Sequence, residues 1–268
     1  MTITKAILLT LLLLILFALV QIGILVPLKY IYHTESLVFK HLEGISTILA
    51  FLIGYAILFL FFWKAKPGDF KRDKFSKPNV LTVTCLFVIA VGLKLFYQPF
   101  FDMEKILNYF RNGDFFIDYP GYYDIGIFTY YHIISAIFIA PVCEELFFRK
   151  YMLSGLLKKY NTVIALSVSA ICFSIIHIET PANLIPTFFF GIISGLVFIK
   201  TKNIIYSIAL HLIMNIFWAV SLLLGGDYYQ WLYTLNFNYV YWVLFGFGGL
   251  FITIGIQKIN TASDKPHH

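Results

Sequence analysis

The feature that most constrains this chain is a series of apolar runs, most of them close to twenty residues long and set apart by short polar or charged stretches. A bilayer's hydrocarbon core is about 30 Å thick, so a helix rising about 1.5 Å per residue crosses it with about 20 apolar residues. Lipid offers the backbone no hydrogen bonds, and a helix satisfies its own. Eight runs meet the requirement: Ala6–Leu28, Gly44–Trp63, Val80–Phe100, Thr129–Leu157, Val163–Ile178, Ala182–Ile199, Ile204–Leu224 and Tyr239–Ile256. The first is too long for a signal-peptide core and lacks an Ala-x-Ala exit, so it reads as a retained helix. The expected fold is all-α, a single polytopic membrane domain over residues 1–268 built as a bundle of eight transmembrane helices.

Composition excludes the competing classes. The chain is 60% hydrophobic and 13% charged, against about 45–50% and about 25% in soluble domains. That rules out an ordinary water-soluble enzyme and a disordered chain. Cys85, Cys143 and Cys172 form no Cys-x-x-Cys pair and are odd in number, which argues against a disulfide framework. The net charge of +6 reflects basic loops. No basic stretch carries the interleaved aromatics of a nucleic-acid module, so no nucleic-acid partner is expected.

Lys and Arg in short loops set orientation. Lys64–Lys77 is strongly basic and reads as cytoplasmic. Lys29–Glu43 and the acidic Phe101–Asp124 read as external, and Lys158–Lys159, Lys200–Lys202 and Lys258–Lys265 then fall inside. Both termini are expected in the cytoplasm, with the bacterial plasma membrane as the location. Two segments read as non-spanning: Met103–Asn112, an amphipathic helix with Ile106, Leu107 and Phe110 on one side, and the Tyr- and Trp-rich Asp227–Asn238.

Ionisable groups within spanning helices are costly and mark function by default. Helix four carries Glu144, Glu145 and Arg149, helix five His177, and helix seven His211 with Asn215. Glu145 and Arg149 stand at i and i+4 in the favoured order for an ion pair, whereas Glu144 is rotated about 100° away without that partner. Measured from the cytoplasmic helix ends, Glu144 lies about 21 Å deep, His177 about 24 Å, His211 about 12 Å and Asn215 about 18 Å. Four polar groups on three helices thus share one band, as a common site requires. This needs helix four to continue through Glu144, with Pro141 kinking it.

A carboxylate and an imidazole can activate water against a carbonyl, while a second imidazole and an amide N–H stabilise the oxyanion. Equally, Glu144, His177 and His211 could bind one zinc ion. No two histidines share a helix at ligand spacing, and few polar residues lie at that depth to brace zinc-bound imidazoles. These patterns leave open whether the cofactor is none or one zinc.

At these residues the chain resembles the CPBP family of intramembrane proteases, which includes CaaX-type prenyl-protein endopeptidases and bacterial Abi proteins. Glu144-Glu145-x-x-x-Arg149, Phe173-x-x-x-His177 and His211-x-x-x-Asn215 occur in that order. The resemblance covers about residues 130–219, helices four to seven. It implies that Glu144 and His177 activate water, that His211 and Asn215 stabilise the oxyanion, and that Glu145, Arg149 and Phe173 support them. The family has been described both as metalloproteases and as metal-independent glutamate proteases. The expected activity is hydrolysis of a peptide bond in a membrane-associated protein or peptide, with the bilayer as the other partner. Alternatives are an inactive immunity or scaffold protein of the same fold and, against the lack of an inverted repeat, a proton-coupled transporter. The Phe-, Ile- and Lys-rich composition fits an AT-rich bacterial genome, which disfavours prenylated substrates.

Other intramembrane protease patterns fit less well. Leu224 breaks a Gly-x-Gly-Asp motif at Asp227. Gly191–Gly195, around Ser194, lacks Gly-x-Ser spacing and reads as a helix-packing stripe, as do Gly246, Gly248 and Gly249.

Overall fold

The computed structural model describes residues 1–64, 80–113, 126–224 and 226–263. Most of the basic Lys64–Lys77 loop, Asp114, Asp118 and Asp124 of the acidic segment, Gly225, and Lys265 lie outside the described residues. Among those described, the chain forms ten helices: α1 (Ile3–Ile31), α2 (Leu37–Trp63), α3 (Val80–Phe101), α4 (Met103–Asn112), α5 (Ile127–Leu157), α6 (Thr162–Ile175), α7 (Leu184–Thr201), α8 (Ile204–Leu224), α9 (Gly226–Thr234) and α10 (Tyr239–Ser263). The protein is an all-α polytopic membrane protein.

Among the described residues, seven helices are long and apolar enough to cross a bilayer. The expected fifth span is shorter than its apolar run: α6 has 14 residues and stops at Ile175. Pro181 disfavours helical geometry at the residue before it, and Thr180 is non-helical at φ −122° and ψ 87°, so the run does not continue as one helix into α7. Between them the backbone makes tight turns, with the His177 N–H donating to Ser174 O and the Thr180 N–H to His177 O. The α2 helix starts earlier than its apolar run, because the Ser36 hydroxyl caps it by accepting from the Phe39 N–H.

Large apolar side chains on α1, such as Leu8, Leu19 and Ile22, face outward, where lipid replaces water as solvent. Inside, glycines let helices approach. A Cβ on Gly191 would meet Ala170 Cα at 2.9 Å, so α6 and α7 pack backbone to backbone as a hairpin. A Cβ on Gly248 of α10 would lie 2.6 Å from the Phe96 nitrogen of α3, and one on Gly92 would lie 2.8 Å from the Gly248 oxygen. Gly246 and Gly249 instead face open space, so only Gly248 of that trio is a packing residue.

At the α4 end of the bundle Ile106 packs with Leu232, Phe237 and Tyr241, while Leu107 and Phe110 are exposed. The amphipathic helix is therefore anchored by Ile106 alone of the three. Buried Asp102 accepts from Gln98 Nε2 at 2.9 Å and from the Tyr241 hydroxyl at 2.8 Å, tying α3 to α10.

Gly248→Leu should destabilise the protein by about 1–3 kcal/mol or more, read as a lower thermal midpoint in detergent. Gly249→Leu, facing open space, should leave the midpoint within a degree or two of wild type (roughly 0.5 kcal/mol or less).

Candidate active site

The site is organised by α5, which continues through Glu144 to Leu157 but is not a uniform α-helix. It widens to π-helical turns at Ser135–Ile139 and again at Leu146–Leu153. Such bulges frequently occur at functional sites. Pro141 explains part of the first. Ala140 N–H reaches Ser135 O in the wide five-residue pattern, and the next donor in that pattern would be the nitrogen of Pro141, which carries no hydrogen. The Ala136 carbonyl that it would have served is met instead by the Asn215 side chain of α8, whose Nδ2 donates at 2.6 Å. One of the two Asn215 N–H groups is thus committed to repairing α5, and the other is not used by that bond.

Glu145 is the hub. It is fully buried, as is Arg149. Its Oε2 accepts from the Ser194 hydroxyl of α7 at 2.7 Å and lies 3.1 Å from Arg149 Nε, while its Oε1 lies 2.9 Å from His211 Nδ1 of α8. The Arg149 contact is close but poorly aligned, since none of the three guanidinium nitrogens makes a hydrogen bond. Its charge rests instead on proximity to Glu145 and on the Phe173 ring, 4.3 Å from the guanidinium carbon. Phe173 is therefore more than wall packing. Its ring stands 5.0 Å from His177 and 5.9 Å from His211, and its carbonyl accepts from His177 Nδ1 at 2.9 Å.

Both imidazoles are consequently held by Nδ1. A carbonyl only accepts, so His177 Nδ1 carries the hydrogen and its Nε2 keeps a lone pair. An ionised Glu145 imposes the same assignment on His211, whose Nε2 lies 3.8 Å from Glu144 Oε2. Glu144 is itself buried, and that oxygen has no hydrogen-bond partner in the protein. The expected offset in depth between Glu144 and His211 closes because wide turns rise less per residue and the side chains bridge the rest.

His177 lies in the turn beyond α6, not within a helix as expected, yet its ring still packs at a tilt against Phe173 one turn back. The braces thought scarce at this depth come from the Phe173 carbonyl and from Glu145, the orienting shell that metal-bound imidazoles require. Yet among the described residues no three His, Cys, Asp or Glu side chains gather closely enough to hold a metal ion. The donor chemistry therefore suits zinc while the spacing among the described residues does not. Sequence reasoning missed Ser194, whose only signal was a hydroxyl between two packing glycines.

Residues 126–217, about a third of the chain, match the family described as type II CAAX prenyl endopeptidase Rce1-like. Over this segment the chain is similar to that family of CaaX-type proteases. It is also 34% identical over 85 residues to the Bacillus subtilis (strain 168) protein named "Putative membrane peptidase YdiL", an overlap of 32% of this chain and 34% of the relative. The chain thus spans about a third of the length of the curated relative it matches. No solved structure matches it.

Arg149→Ala should strand the Glu145 carboxylate and cost about 3–5 kcal/mol, measured by thermal unfolding. Arg149→Lys should restore little of this, because a compact ammonium cannot stack on Phe173 as a planar guanidinium does.

Proposed function

We propose that this protein is an intramembrane endopeptidase that hydrolyses a peptide bond in a membrane-associated protein or peptide. The observation that carries the reading is the buried, unpartnered Glu144 Oε2 beside His211 Nε2, with His211 braced from behind by Glu145. In a site withdrawn from bulk water, an unpartnered carboxylate oxygen is an available base.

Glu144 accepts a proton from a water molecule, whose oxygen attacks the scissile carbonyl carbon. The lone pair at His177 Nε2 accepts the water's other hydrogen and so orients it. His211, when doubly protonated, donates from Nε2 to the oxyanion while Nδ1 stays on Glu145, and the second Asn215 N–H donates alongside. Collapse of the tetrahedral intermediate breaks the C–N bond, and Glu144 returns its proton to the leaving nitrogen. Arg149, Ser194 and Phe173 hold the two glutamates and two histidines in place. This route needs no metal.

The proposed topology places both termini in the cytoplasm of a bacterial cell. Comparative peptidomics of membranes carrying wild-type protein or Glu144→Ala should return fragments unique to wild type. A purified peptide spanning the returned site should be cleaved by wild type, while Glu144→Ala, His177→Ala and His211→Ala should each lose about 10²–10⁴-fold in rate with thermal midpoints retained. Identical peptidomes, or wild-type turnover by Glu144→Ala, would remove the proposal. Chelator-treated protein should keep its activity. One zinc per chain by elemental analysis, with activity lost on its removal and regained on its return, would replace the metal-free route.

A further inference from the structure

A second buried polar atom without a partner lies on the α2 side of Glu144. The Tyr55 hydroxyl makes no hydrogen bond in the protein, although Tyr55 is only 1% exposed. Its ring sits in an aromatic cluster with Phe17, Phe51 and Phe147. A phenylalanine would fill that cluster equally well. The hydroxyl adds a desolvation cost that packing does not return.

The register of α2 against α5 shows where the hydroxyl goes. The two helices run side by side in the same direction. His41 hydrogen-bonds Tyr131 at 3.0 Å near their starts, Tyr55 meets Phe147 edge-on at 5.9 Å, and the Tyr151 hydroxyl donates to Phe62 O at 3.1 Å near their ends. Phe147 is three residues beyond Glu144, so Tyr55 lies within about one turn of it. Helical side chains lean toward their own N-terminus, which directs the phenol from the level of Phe147 back toward Glu144. Tyr97 is the contrast: its hydroxyl is also buried and unpartnered, but it lies on α3, away from the α2–α5 register.

We infer that Tyr55 is a further catalytic residue, its hydroxyl donating to the oxygen of the attacking water. Three contacts then hold that water: hydrogen bonds given to Glu144 and His177, and one received from Tyr55. Its remaining lone pair is left for the substrate carbonyl. The residue comes from α2, outside the segment that matches the family, so the water site is completed by a helix the motif blocks do not contain.

The inference rests on the hydrolytic reading, and the test separates the two. The probe is a quenched-fluorescent peptide built on the cleavage site returned by peptidomics, assayed with the full chain in liposomes. Tyr55→Phe should lower kcat by about 10–10²-fold with KM within about twofold and an unchanged thermal midpoint, and Tyr97→Phe should match wild type. If Tyr55→Phe turns over at the wild-type rate, or changes KM alone, while Glu144→Gln is inactive, Tyr55 has no part in the reaction and hydrolysis by Glu144 stands. An active Glu144→Gln, or no returned cleavage site, overturns the hydrolytic reading and this inference with it. Should Tyr55→Phe fold poorly, 3,5-difluorotyrosine at position 55 keeps the shape and hydroxyl but makes the phenol more acidic. The alkaline limb of the kcat–pH profile should then move to lower pH, and an unmoved limb overturns the inference.

Discussion

A carboxylate with no exposure to solvent, Glu145, holds together the elements of the proposed active site. It gathers an arginine from its own helix, a serine from α7 and a histidine from α8. Removing charges from water costs several kcal/mol per ion even after relaxation. Such a group persists only where partners occupy its oxygens, and here those partners fix three helices relative to one another. The catalytic geometry proposed for Glu144 and His211 is a by-product of that arrangement, since the orientation of His211 is set by Glu145 and not by Glu144.

The same economy of partners runs through α5. Pro141 removes a backbone donor one turn before the two glutamates, and the surrounding turn widens. Asn215 answers from α8 with a side-chain donor to Ala136. The proline and the asparagine are therefore one structural unit, although 74 positions separate them in the chain. Phe173 plays a comparable double part, with its ring under the Arg149 charge and its carbonyl on His177.

How much of this could be read beforehand follows from what each signal depends on. Apolar run length is a local property, so the existence and order of the long helices and the Met103–Asn112 segment were legible, while ends set by caps and polar flanks, such as the start of α2, were not. The Glu145–Arg149 pair was legible because i to i+4 spacing is local to one helix. The end of α6 was not: hydropathy continues to Ile178, whereas the helix stops at Ile175 and gives way to tight turns. Ser194 and Tyr55 were invisible as site residues because their meaning depends on which helix faces which. Contacts between α2 and α5, or between α7 and α5, leave no spacing signature along the chain. The braces for the two imidazoles were missed for a related reason, since one of them is a backbone carbonyl and no residue type announces it.

The brevity of α6 has a consequence for the membrane itself. Fourteen residues rise about 21 Å as a helix, well short of a hydrocarbon core of about 30 Å. Polar turns follow it at Glu179 and Thr180, both exposed. Hydrophobic mismatch of this kind is relieved by local thinning of the lipid, at fractions of a kcal/mol per ångström. The bilayer beside the α6–α7 hairpin would then be dimpled toward the two histidines, shortening the path by which solvent reaches a buried peptide bond. Acyl-chain length in the surrounding lipid would thereby bear on the proposed hydrolysis, a control that no side chain encodes.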